Sequence, residues 1–420
     1  MQFVLSLVPL AVIIVLLVMK KHMLFAGLVG GVAAMIIGGI SFGDLGGAMT
    51  KGLGTMFGNV APILYAAAAA MAGKGGCFKS LVNLCEKLLK GKFAVLAAVL
   101  VVVQACATYM AGLSAGNTMV IAPLVFAAIG AVPEVVAGMA IAGAVCFITS
   151  PAGAQGVVTA ENIGIDVVEF ANIMTPFTIV LVLLAAALAF YGVYRRGTMV
   201  ADRAAKASEG VVEESVSNAK LFVQSIPVIV LLLMVVLGGW VNGLVGSHVI
   251  VPAVTVCVVC ILIVMCTPLD IEGTCNALID GSQFILTTMF SVGIFLGFIN
   301  LMEQIGAFSN IASIASAVPT FIMLPVAMII GFLIAIPSGA YCAGVLTLIL
   351  PTMALMGFSP IAMGLIALAT GLGTQISPVQ INVVALSNGF DKSIMDIVKN
   401  NMKYMVGMLV LLIAVSFFFA

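Results

Sequence analysis

The sequence predicts an all-α membrane protein made of two inverted repeats, each with five crossings (one a broken helix) plus one re-entrant helical hairpin. Three observations predict it. Of 420 residues, 63% are hydrophobic and 8% charged, with a mean hydropathy of +1.31; a soluble domain carries about 25% charged residues. Apolar stretches of about 17–20 residues recur along the whole chain, enough to span a bilayer as helix. Landmarks in the two halves recur at a nearly constant offset. Ser150-Pro151 matches Ser377-Pro378 at 227, Pro123 matches Pro351 at 228, Gly130 matches Gly357 at 227, and Asp44 matches Asp270 at 226. Chance similarity between apolar runs does not hold one offset over four landmarks, so the chain reads as two copies of one unit.

The first repeat, 1–194, opens with scaffold helices over 3–73: apolar spans at 3–19, 23–40 and 53–73. The run MQFVLSLVPLAVIIVLLVM passes straight into KKH. It lacks a basic leader and a small-residue cleavage pattern, so it is expected to be a membrane helix and not a signal peptide. Residues 76–92, GCFKSLVNLCEKLLKGK, set apolar residues at helical spacing with lysines between them, as an interfacial helix does. Residues 93–131 have two apolar arms around the small-residue cluster ACATYMAGLSAGNT (105–118). Each arm is about 15–18 residues, at or below the ~20 needed to span, which favours a re-entrant hairpin. Residues 134–165 are expected to be a broken helix. SPAGAQG (150–156) interrupts them with a proline, which removes a backbone donor and disfavours helix in the residue before it. The helix 172–194 closes the repeat.

A cytoplasmic linker follows at 195–220, RRGTMVADRAAKASEGVVEESVSNAK, the one strongly hydrophilic connector. The second repeat, 221–420, repeats the plan. Scaffold helices occupy 221–302 (221–242, 248–266 and 282–302), and an interfacial helix 303–319. A re-entrant hairpin spans 321–357 around AIPSGAYCAG (335–344). A broken helix covers 361–388 around TQISPVQ (374–380), and a last helix 404–420. The interfacial pair could link a moving domain to a fixed one.

Orientation follows from the basic residues. With both termini outside, every Lys and Arg except Lys51 falls in the cytoplasm, out of 16. The same bias results if 93–131 crosses twice, so charge does not separate a hairpin from a helix pair. Irregular backbone at membrane depth is tolerated only where it is buried in protein or lines a wet cavity. Two hairpin tips and two broken helices are therefore expected to meet near the midplane and form a site. Half-helix N-termini suit an anion, while freed carbonyls and Ser or Thr hydroxyls suit a small cation. Any single Gly, Ser or Thr here can serve packing alone; the Ser-Pro pair, present at matching places in both halves, reads as functional.

The remaining inventory excludes much. Net charge is zero, so nothing indicates nucleic acid. Cys257 and Cys260 form a C-V-V-C without polar neighbours and read as packing. Two histidines, at segment ends, make a histidine metal site unexpected, and no cofactor is implied. An intramembrane enzyme would need a Ser/Lys, paired-Asp or metal constellation, and none is found. A channel is disfavoured because broken helices in inverted repeats point to alternating access. No Lys or Arg lies between Lys92 and Arg195, or between Lys220 and Lys392. No basic residue is therefore expected to pair with an anion inside either hairpin or broken helix, and dipoles, hydroxyls and co-bound cations would hold it. Asp280 reads as a surface carboxylate at the start of the 282–302 helix; a proton or cation ligand is the sharper alternative.

SAGNTMVIAPL, TSPAGAQGVVTAENIGIDVVEF and TQISPVQINVVALSNGFDKSIMDIVK resemble the ion transporter superfamily, in particular the anaerobic four-carbon dicarboxylate carriers and citrate–metal symporters. The resemblance covers essentially the whole chain as architecture, and its motifs specify substrate poorly. It implies a dimerising scaffold, a transport domain that works as an elevator, and carboxylate binding between hairpin tips and helix breaks with sodium or protons. Carried over, the substrate-binding residues are Ser114, Gly116, Asn117, Ser150, Pro151, Ser338, Gly339, Ser377 and Pro378. The cation-binding residues are Thr118, Thr149, Gln155, Thr374, Gln375 and Asn382. Divalent-anion/sodium symporters carry Ser-Asn-Thr at both hairpin tips. Here the first tip has Gly116-Asn117-Thr118 and the second has no such triplet, which argues against a two-fold sodium arrangement of that type. The expectation is a homodimeric, multi-pass carrier of di- or tricarboxylates in a bacterial inner membrane. A gluconate-type sugar-acid symporter and a cation/proton antiporter are the rivals, the latter needing an essential buried carboxylate, for which only Asp280 is a candidate.

Overall fold

The computed structural model describes residues 2–19, 21–58, 60–89, 91–197, 217–308, 310, 319–336, 339 and 342–419. Among them the regular structure is helical throughout. The first half contains α1 (Gln2–Val18), α2 (Met23–Gly38), α3 (Phe42–Phe57), α4 (Ala61–Lys74), α5 (Cys77–Leu88), α6 (Phe93–Ala111), α7 (Ala115–Ile129), α8 (Pro133–Thr149), α9 (Ala154–Ile163) and α10 (Val167–Arg195). The second contains α11 (Asn218–Val245), α12 (Pro252–Cys266), α13 (Ile271–Gln304), α14 (Thr320–Ala335), α15 (Cys342–Leu355), α16 (Pro360–Thr374), α17 (Ile381–Gly389) and α18 (Ile394–Ser416).

Local chemistry explains many of the boundaries. Several helices are capped by the polar residue that precedes them. Ser41 and Asp44 form a capping box on α3, Asp166 accepts from Val168 N, Asp270 from Gly273 N, Ser359 from Ala362 N and Ser393 from Asp396 N. The aspartates matched in sequence thus both serve helix starts, Asp44 in the first turn of α3 and Asp270 as the cap of α13. Both expected breaks are present. α8 ends at Ser150, in extended backbone, and turns 46° into α9; α16 ends at Thr374 and α17 resumes at Ile381.

Three expectations are corrected. The straight span 53–73 is instead a joint: α3 and α4 meet at a 51° bend, with Pro62 in the first turn of α4. Its counterpart 282–302 lies inside one helix of 34 residues, α13, so Asp280 sits within a helix and not at its start. The last span begins well before 404, at Ile394. The interfacial helix 303–319 falls largely outside the described residues. Among the described residues, by length and apolarity alone, five helices can cross a membrane, or up to seven if each bent pair is one span. The spans 3–19, 23–40 and 248–266 form apolar helices of 15–17 residues.

The packing of the two halves is exchangeable. α6 packs on α8 and α14 on α16; α7 packs on α17 and α15 on α9; α3 and α4 pack on α13, and α8 on α16. The backbone repeats too. Gly130 and Gly357 both take positive φ (89° and 75°), as do Gly164 and Asp391 (80° and 50°), each pair separated by 227. Asp391 is the one described non-glycine residue with positive φ, and it stands where the first half has glycine. Two packing groups result, α1–α5 with α11–α13, and α6–α10 with α14–α18.

Candidate functional site

A cavity of about 690 Å³ lies between the two groups. One wall comes from α4, α5 and α13: Ala66, Ala69, Gly73, Lys74, Phe78 and Gly281. The other is built from helix beginnings. Ser114, Ala115 and Asn117 start α7, Gln155 starts α9, Gly339 and Cys342 precede and start α15, and Gln380, Ile381 and Asn382 start α17. Four helix N-termini therefore converge on one space. None of the four carries an acidic residue in its first turn, and α7, α9 and α17 have no side-chain cap. Uncapped starts occur elsewhere, as in α6 and α8, and α5, also uncapped, brings Phe78 of its first turn to the opposite wall. First-turn N–H groups lack intrahelical partners and carry partial positive charge, so the wall is electropositive without any cationic side chain.

Each hairpin tip is held against the break of its own half. Gly112, with φ 64°, lets the first tip approach so closely that a Cβ there would strike the carbonyl of Ala152. The Ser150 hydroxyl donates to the Tyr109 carbonyl and accepts from Ala152 N at 2.9 Å. Gly339, again 227 residues on, lets the second tip meet Ser377, against whose Cβ and Oγ a Cβ would collide. Asn117 ties the first tip internally, donating to the carbonyls of Ala107 at 2.8 Å and Leu113 at 3.1 Å.

Behind the cavity runs a buried polar chain. Gln104 Nε2 donates to Thr118 Oγ1 at 2.6 Å, and Thr118 Oγ1 to Asn382 Oδ1 at 2.7 Å. Asn382 Nδ2 donates to Gln375 Oε1 at 2.7 Å, and Gln375 Nε2 to Thr374 Oγ1 at 3.0 Å. Asn401 of α18 donates to the Gln375 carbonyl at 3.1 Å. The chain joins α6, α7, α16, α17 and α18. Two buried carbonyl oxygens, Gln104 Oε1 and Gln155 Oε1, have no hydrogen-bond partner, and Gln155 lines the cavity.

Of the residues expected to bind substrate, Ser114, Asn117 and Gly339 line the cavity; Gly116 lies in the first turn of α7 between two of them. Ser150, Pro151 and Ser377 are buried behind it and Pro378 is partly buried; none of the four is on its wall. Ser338 lies outside the described residues. Of the expected cation ligands, Thr118, Thr374, Gln375 and Asn382 are brought together, but bonded to one another. Thr149 is separate, donating to the Val145 carbonyl and accepting from Thr178. Gln155 lines the cavity. Among the described residues no group of three His, Cys, Asp or Glu is placed to hold a metal.

Sequence reasoning missed Gln104, Gln380, Gly112 and Lys74. Gln104 had a signal: it is the one polar residue in FAVLAAVLVVVQA, 93–105. Lys74 had none: it lies outside the hairpins and broken helices, directly after the apolar run 53–73. No basic residue was expected to pair with an anion inside either hairpin or broken helix; Lys74 reaches the cavity from outside both, from α4 on the opposing group. Asp280 pairs with it, Nζ to Oδ2 at 2.6 Å, both side chains half exposed.

No family model matches the chain, and no curated protein matches it. Among solved structures it is similar to the YdaH transporter of Alcanivorax borkumensis, whose crystal structure is described as having an unusual topology. The TM-score is 0.54 at 16% identity, over 88% of this chain and 86% of that one. At that identity the likeness is one of fold alone.

Proposed function

We propose that this chain is a secondary active transporter of small organic anions, di- or tricarboxylates, coupled to sodium or protons. One observation carries the anion: four helix N-termini, from both halves and without an acidic residue in any first turn, border a single cavity. A fixed array of backbone donors favours negative charge without the desolvation cost that a buried cationic side chain would bring. The buried, unpartnered carbonyl oxygen of Gln155 supports a co-bound cation or protonated group at the same wall. Ser150 and Ser377 act through position, since each holds a hairpin tip to a break. The transporter fold of YdaH supports carriage over catalysis.

The cavity's placement supports an elevator. One wall belongs to α4, α5 and α13, the other to the hairpins and broken helices, so sliding one group along the other would carry the substrate with it. In this reading α1–α5 and α11–α13 are the scaffold and the dimerising part. The antiporter reading is weakened by Asp280, which is half exposed and paired with Lys74 instead of buried.

The test is a thermal-shift screen of the purified protein with succinate, fumarate, citrate and gluconate, with and without sodium and at two pH values. A ligand that binds the folded state raises its stability. The expected result is a carboxylate-dependent shift that grows with sodium or with protons. Absence of a shift with every anion would refute the anion reading; an equal shift in cation-free buffer at both pH values would refute coupling.

A further inference from the structure

We infer that Lys74 reads a second negative charge on the transported anion, and that Asp280 holds the ammonium ready for it. The inference rests on the anion-carrier reading. Among the described residues that line the cavity, Lys74 is the one that carries a charge. Its neighbours there are neutral: alanines and Gly73 of α4, Phe78 of α5, Gly281 of α13, and the serine and amides across the cavity. A monoanion is satisfied by the helix N-termini of the other wall. A second carboxylate, directed away from them, finds Lys74.

The pair with Asp280 suits that role. It joins two helices of one packing group, α4 and α13, at 2.6 Å, with side chains 51% and 53% exposed. An ion pair so open to water contributes little to stability, so its presence beside the cavity is poorly explained as a structural tie. Asp280 is itself a carboxylate. It presents to Lys74 the chemistry that the substrate would present, so sharing or exchanging the ammonium between them costs little. An ammonium has three donors, enough for Asp280 and a substrate oxygen together. Gly281, next to Asp280, also lines the cavity; a Cβ there would strike Ala70, so the glycine lets α13 lie close against α4 and sets Asp280 beside Lys74. Lys74 closes the last turn of α4, where the helix dipole favours a cation.

The experiment measures the affinities of succinate, fumarate and citrate against those of butyrate and gluconate. It uses the full-length protein, Lys74→Arg, Asp280→Asn and the double variant Lys74→Gln/Asp280→Asn. The double variant removes both charges, so no unpaired carboxylate is left to repel every anion. It is expected to lose about tenfold in affinity for the polyanions with butyrate and gluconate little changed. Lys74→Arg is expected to keep the preference, and Asp280→Asn to keep or strengthen it, since Lys74 then has one claimant fewer. An unchanged polyanion-to-monoanion ratio in the double variant would overturn the role of Lys74 and leave the anion-carrier reading standing. So would a wild-type protein that binds only monoanions. A wild-type protein that binds no carboxylate would overturn both.

Discussion

Asn382 shows how much one side chain does here. It lies 1% exposed, in the first turn of α17 at the cavity wall, and its amide both accepts from Thr118 and donates to Gln375. A buried amide in a membrane protein is stable only when both ends are satisfied, and each interhelical bond then contributes about 0.6–2 kcal/mol. Asn382→Leu should therefore lower stability by about 1–3 kcal/mol, because it strands two buried partners at once. The measurement is the thermal midpoint in detergent. A double-mutant cycle with Thr118→Val should be non-additive; strictly additive losses would mean the two side chains are not coupled. The polarity of Thr374, Gln375 and Asn382 stood out in the sequence against their apolar surroundings. That they bond one another, and that Gln104 completes the chain from a different hairpin arm, is a fact of packing.

At the scale of elements, glycine decides how closely a hairpin tip meets a helix break. Gly112 combines φ 64° with backbone contact to Ala152, whereas Gly164, with φ 80°, has open space where a Cβ would go. The two positions separate strain from collision. Gly164→Ala should cost about 1 kcal/mol, the penalty of a left-handed alanine. Gly112→Ala should cost about 2–4 kcal/mol, because the first tip must also withdraw from the α8–α9 break. Equal thermal losses would argue that the tip does not seat on the break. The breaks themselves were readable, since Pro151 and Pro378 sit in small-residue stretches that cannot continue a helix. The joint between α3 and α4 was not expected, because the proline that opens α4 lies inside a run whose overall hydropathy resembles one continuous span.

For the whole molecule, charge sets the arrangement in the bilayer. The distribution of Lys and Arg predicts both termini outside and the connector 195–220 in the cytoplasm. Alkaline phosphatase fused after residue 420 should be active, and the same reporter placed in the connector inactive. The opposite pattern would invert the protein. The ion pair Lys51–Glu303, at 3.5 Å between exposed side chains, brings together the exceptional basic residue and a carboxylate expected on the same outer face.

Composition, a repeated offset and two prolines were enough to give an all-helical, twofold chain with interrupted helices at matching places. These are properties of local backbone chemistry and of apolar length, which a sequence carries position by position. Which helix beginnings share a cavity, which polar groups satisfy each other and which lysine faces the cavity depended on elements far apart in the chain. Lys74 and Asp280 are 206 residues apart, and Thr118 and Asn382 264. Only the packing of one half against the other brings such pairs within bonding distance.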